Sequence, residues 1–106
     1  MTLTNIFKIF KDGDRKERME FIDLGILPAG DTKQYTLYVL NDSELYCQKL
    51  VFKIVNQMGE EVNVLESPET IHPGGFEKII VEWTAKADLV KSLRANFNIS
   101  GEGITT

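Results

Sequence analysis

At 106 residues the chain has room for one domain with one modest core. Its 42% apolar and 26% charged content excludes global disorder. A formal net charge of −4 is the wrong sign for a general nucleic-acid binder, and a lone cysteine, Cys47, excludes a disulfide-stapled secreted scaffold.

The charge is uneven. Residues 1–18 hold five basic side chains (Lys8, Lys11, Arg15, Lys16, Arg18) against three acidic ones (Asp12, Asp14, Glu17), net +2, so the rest sums to −6. That end reads as a solvated turn, or as a contact for an acidic protein surface. The opening M-T-L-T-N-I-F-K-I-F-K lacks the apolar stretch of a signal peptide. No apolar run approaches the ~18 residues that span a bilayer. Together with the single cysteine, this predicts synthesis and folding in a reducing cytoplasm. The N-x-S triplets at Asn41 and Asn98 then read as chance matches, not glycosylation sites.

In chain order, residues 6–11 (I-F-K-I-F-K) predict a first strand. A short helix is the rival, because Ile6, Ile9 and Phe10 also share helical spacing, but so short a helix is not stable alone. Asp12-Gly13-Asp14 turns the chain, and residues 15–24 resume as an extended run, giving a hairpin or a bent strand. Pro28 and Gly30 mark a turn. Residues 33–41 follow as a strand with Tyr35, Leu37 and Val39 on one face, stopped at Asn41. Residues 47–56 form another, with Leu50, Phe52 and Ile54 inward. Met58-Gly59-Glu60 turns into 61–65. A short piece around Ile71 lies between turns. Residues 76–84 place Ile79, Val81 and Trp83 on one face. Residues 85–90 read as a loop with one helical turn. Leu93, Ala95, Phe97 and Ile99 alternate with polar residues as a last strand, and the tail at 104–106 reads as frayed. About seven strands with regularly spaced turns predict an all-β, antiparallel sandwich.

Several residues invite a chemical reading, and each has a simpler one. His72, beside Pro73, is the only histidine; a zinc site would need more ligands, so it reads as a surface turn residue. Cys47 reads as a small buried hydrophobe rather than a nucleophile paired with His72. Asp12-Gly13-Asp14 lacks the later ligands of a calcium loop, and no phosphate-binding or nucleophile-elbow motif occurs. The expectation is therefore no enzyme, no metal and no cofactor.

The run Phe21-Ile22-Asp23-Leu24-Gly25, the turn at Ala29-Gly30, and the strand ending at Asn41-x-Ser43 form a pattern. It continues with Ser67-Pro68-Glu69-Thr70-Ile71-His72-Pro73-Gly74 and the closing Phe97-Asn98-Ile99-Ser100-Gly101. It resembles the immunoglobulin-like domains of the abnormal-spindle, hydin and major-sperm-protein group, over residues 21–103. The resemblance implies an immunoglobulin-like β-sandwich at 21–103, with residues 1–20 as an N-terminal arm or hairpin. It also implies a non-enzymatic structural protein that docks on a larger complex, with a phage virion or capsid decoration protein as the preferred case. The partner would then be a capsid or other lattice protein. A monomeric carbohydrate- or peptide-binding module, with a groove lined by Tyr35, Tyr38, Tyr46 or Trp83, is the alternative.

Two features suggest contacts. Ile6, Phe7, Ile9 and Phe10 lie in the arm, and alternate residues there cannot all face one core. Val51, Val55 and Ile80 are apolar at outward positions, and immunoglobulin-like topology puts them on one sheet. These seven residues are the expected interface. Open sheet edges also make a homo-oligomer conceivable.

Overall fold

The computed structural model describes residues 3–14, 18–86 and 93–105. A 3₁₀ turn at Thr4–Ile6 leads into eight strands: β1 Phe7–Phe10, β2 Arg18–Met19, β3 Ile22–Gly25, β4 Thr32–Asn41, β5 Leu45–Asn56, β6 Glu61–Glu66, β7 Phe76–Thr84 and β8 Leu93–Thr105. The described part of the chain is thus all-β, and every described ladder is antiparallel. Period-2 alternation is the cause: β4 buries Leu37, Val39 and Asn41, and β7 buries Ile79, Val81 and Trp83. The rival helix at the start is confined to the 3₁₀ turn. The loop expected at 85–90 falls largely outside the described residues, as do Arg15, Lys16 and Glu17 of the basic flank.

The strands hydrogen-bond in the order β2-β1-β4-β7-β6-β5-β8-β3. β6 joins the two halves. It pairs with β5 at Glu61 and Val62, and then with β7 at Asn63, Val64 and Glu66. The sheet so curls on itself as a nearly closed barrel around one core, in which Leu24, Val39, Cys47, Ile54, Ile79, Val81 and Ala95 are almost wholly buried. Eight strands replace the expected seven because the segment after the first turn divides in two: β2 pairs with β1, and β3 crosses to the far edge beside β8.

Two boundaries need correction. The described part of residues 1–20 is not a separate arm: β1 pairs with β4 from Phe7↔Asn41 to Phe10↔Tyr38. Nor do residues 104 and 105 fray, because β8 continues beside β5 to Leu45↔Thr105; Thr106 lies outside the described residues. Gly101 and Gly103 look like breakers in sequence. They serve close packing instead: a Cβ on Gly103 would stand 2.9 Å from Leu45 Cδ1, and one on Gly101 2.8 Å from the Gln48 carbonyl. Opposite Gly101, β5 carries extra residues in a bulge.

Candidate docking interface

The apolar tip of the chain is largely consumed by the fold. Phe7 and Ile9 point into the main core, and half-buried Ile6 packs against it. Phe10 points the other way and is only 8% exposed. It is covered on the outer face by Phe76, at 5.8 Å between ring centroids, and Phe76 in turn stacks on Tyr38 at 5.5 Å. Gly13 of the following turn lies against the Tyr38 ring. Lys8, two residues before Phe10 on β1, meets Asp42 at 2.6 Å. The Lys8 contact, first as hydrogen bond and then as charge, holds the Asp42 carboxyl below its ordinary value. The expectation that alternate arm residues face different environments is met, but both environments belong to this chain. Phe7, Ile9 and Phe10 are therefore not free to dock.

Val51, Val55 and Ile80 do not make one face. Val51 and Val55 lie on β5, beside Ser100 and Asn96 of β8. Ile80 lies on β7 opposite Thr36, in the other half of the sheet. The expectation that all three share one sheet face is not met, because β6 stands between β5 and β7. Val51 alone is well exposed, at 59%.

The aromatic groove is not assembled either. Trp83 is buried in the core. Tyr35 faces inward and donates its hydroxyl to the Leu24 carbonyl; burial, then the charge of Asp23, pushes its phenol up. Tyr38 is on the opposite face of β4. Tyr46 meets the His72 ring edge-on at 5.0 Å. Among the described residues no cluster of His, Cys, Asp or Glu could hold a metal, and no helix is long and apolar enough to cross a membrane.

Asn41 has a larger role than a strand-ending residue. Its side chain is fully buried. Nδ2 donates to the carbonyls of Leu45 (2.8 Å), Ile71 (3.2 Å) and His72 (3.2 Å), and approaches Cys47 Sγ at 3.6 Å. Oδ1 accepts from the Ser43 hydroxyl at 2.6 Å. One amide so ties the end of β4 to the start of β5 and to the segment around Ile71, which bridges back to Cys47. Burial raises the Cys47 thiol, with the Asn41 contact opposing. This site is structural.

What remains for contact is an end of the molecule that sequence patterns did not single out. Ile26, in the β3–β4 connection, is 57% exposed, and Met58, in the β5–β6 turn, is 63% exposed. Both loops sit at the end where β3, β5 and β7 finish and β8 begins. They are tied together through their neighbours. The Gly30 amide donates to the Ala85 carbonyl, and the Gln57 amide to that of Arg94; Lys86 meets Glu60 at 3.3 Å. Asn56 Oδ1 accepts from the amides of Met58 and Glu60 and holds the Met58 turn in shape. Ile26 falls in step with Ile22 and Leu24, a spacing that marks an inward residue, and Met58 lies in a turn, so neither pattern marks an exposed contact. Compared with protein-family models, curated proteins and solved structures, the chain matches none.

Proposed function

We propose that this chain is a non-enzymatic immunoglobulin-like module that docks by protein–protein contact on a larger assembly, such as a capsid or other lattice. The loop end bearing Ile26 and Met58 is its contact surface. The observation that carries this reading is the exposure of two large apolar side chains on loops at one end of the sheet. Loops held by a scaffold commonly carry binding residues, and exposed apolar side chains desolvate favourably against a partner. Bonds from each loop to neighbouring residues, Gly30 to Ala85 and Gln57 to Arg94, together with the Lys86–Glu60 ion pair, hold the loops in place before contact, which lowers the cost of ordering them.

Strand order supports the sandwich part. β1-β4-β7-β6 and β5-β8-β3 run like the A-B-E-D and C-F-G sheets of an immunoglobulin domain. The difference lies in the last place: such a domain fills it with its final strand, whereas β3 from the first half of the chain stands there.

The test compares immobilised native chain with an Ile26→Asp/Met58→Asp double variant, and with Val51→Asp as a control. Each is presented with extract from the source cells. A discrete protein retained by the native chain and by the control, but lost on the double variant, supports the reading. The same proteins on all three would refute it.

A further inference from the structure

The edges of this sheet are unequally protected. On β5, the edge away from β8 is satisfied along its first half. The Leu45 amide donates to Ser43 Oγ, and the Leu45 carbonyl accepts from Asn41 Nδ2. Cys47 exchanges both backbone bonds with Ile71, and the Leu50 amide donates to the Glu69 carbonyl. The β3 edge is four residues long, with the Leu24 carbonyl taken by Tyr35 and the Gly25 amide by Asp23. On β8 the edge away from β5 is met by the Leu3 amide and Thr4 Oγ1 at Ile99.

Beyond that point the β8 edge is different. Cys47 stands opposite Gly103, and Leu45 opposite Thr105. Both β5 residues turn their amides and carbonyls away from β8. In an antiparallel ladder their partners must then turn theirs away as well. The N–H and C=O of Gly103 and Thr105 therefore face outward, and no described strand lies alongside them. Ile104, between them, is 42% exposed and stands directly opposite half-buried Tyr46.

We propose that this edge pairs with the same edge of a second copy, antiparallel about a two-fold axis that sets Ile104 opposite the second copy's Ile104. Gly103 and Thr105 of each copy then exchange backbone bonds with Thr105 and Gly103 of the other, about four in all. The exposed isoleucines meet in a row flanked by the two Tyr46 rings. The edge complements itself because a two-fold contact needs only one self-complementary patch.

Charge allows the pairing although each chain is net −4. Residues 103–105 carry none. Glu102 is already bonded to Gln48 at 2.9 Å and near Lys49 at 3.5 Å. In this register the two Glu102 side chains stand about 13 Å apart along the strands, beyond the screening length of about 8 Å at physiological salt. A foreign peptide is a poorer occupant: strand addition gains specificity from pockets for alternate side chains, and this edge offers two residues of backbone and one isoleucine. Three residues of strand, about 10 Å, bury far less than the roughly 1,200 Å² of a stable interface. The pairing is therefore weak and concentration-dependent, and it is independent of the loop end.

Sedimentation equilibrium from micromolar to millimolar chain tests this. The native mass should rise from 12.0 kDa towards twice that value. Thr105→Pro, at an exposed position whose amide faces outward, removes two of the four bonds and should weaken dimerisation at least about tenfold. Its thermal midpoint checks that the variant is folded. Ile104→Cys should oxidise to a covalent dimer, because directly opposed non-hydrogen-bonded pairs have the separation a disulfide needs. A native chain that stays monomeric at millimolar concentration would overturn the proposal. So would a folded Thr105→Pro that dimerises as well as the native chain.

Discussion

Asn41→Asp keeps the shape of the most connected buried side chain and removes its donors. At neutral pH the new carboxyl faces the carbonyls of Leu45, Ile71 and His72. The last two keep one partner each, the amides of Cys47 and Gly75, so the Leu45 carbonyl loses most. An orphaned buried group costs about 1–3 kcal/mol, and an uncompensated buried charge about 3–5 kcal/mol. Against a total of about 5–15 kcal/mol for a domain, the variant should lose a large part of its stability. Asn41→Ala, which brings no charge, should lose about 2–3 kcal/mol. Urea unfolding followed by Trp83 fluorescence measures both. The sign of the pH dependence is a further check. Burial among carbonyls raises the folded-state carboxyl above its unfolded value, so the protonated form favours the fold. The deficit of Asn41→Asp should shrink as pH falls towards the ordinary carboxylate range and grow as pH rises. If Asn41→Asp lies within about 1 kcal/mol of the native chain, Asn41 is not the tie described.

Three other outcomes follow from particular residues. Lys49 sits in the β5 bulge with φ +53° and an exposed ion pair to Glu102; Lys49→Gly relieves the left-handed backbone and should stabilise by about 0.5–1 kcal/mol in the same urea assay. Asp42 is held low by Lys8, and Glu102 by the Gln48 hydrogen bond and then Lys49. Their contribution is present above the unfolded carboxylate range and is lost as pH falls through the lowered values; Lys8→Ala should flatten the acid limb of a stability–pH curve. Cys47 is buried with a raised thiol, so a thiol reagent should label it slowly in the native chain and rapidly in denaturant.

Alternation made much of the fold legible. In β8, Leu93, Ala95 and Ile99 are buried while Arg94, Asn96 and Asn98 are exposed, as their spacing predicts. The inward faces of β4, β5 and β7 were equally readable. Where the reading failed, the deciding partner lay far along the chain. Phe10 looked free because its cover, Phe76 and Tyr38, comes from β7 and β4. The bulge at Lys49 has no glycine to announce it, and the tail read as frayed is held in β8, whose Gly101 and Gly103 permit close packing. The split of residues 18–25 between two sheet edges follows from closing the barrel, which no local pattern encodes. Asn41 was readable as a strand end, but the contacts of its Nδ2 depend on where Leu45, Cys47, Ile71 and His72 arrive. Of the loop-end pair, Ile26 follows Ile22 and Leu24 at strand spacing although it is exposed, and Met58 stands in a turn, where no period applies.

β1 is an integral strand whose Phe7, Ile9 and Phe10 are buried in the fold. Urea unfolding of a chain lacking residues 1–11 tests this most directly. Phe7 and Ile9 are each worth about 1.5–3 kcal/mol of burial, and β4 would lose its outer partner. The truncated chain should show no cooperative transition, or a midpoint far below the native one. A truncated chain that unfolds cooperatively at the native midpoint would contradict the account and return residues 1–11 to the role of a separable docking arm.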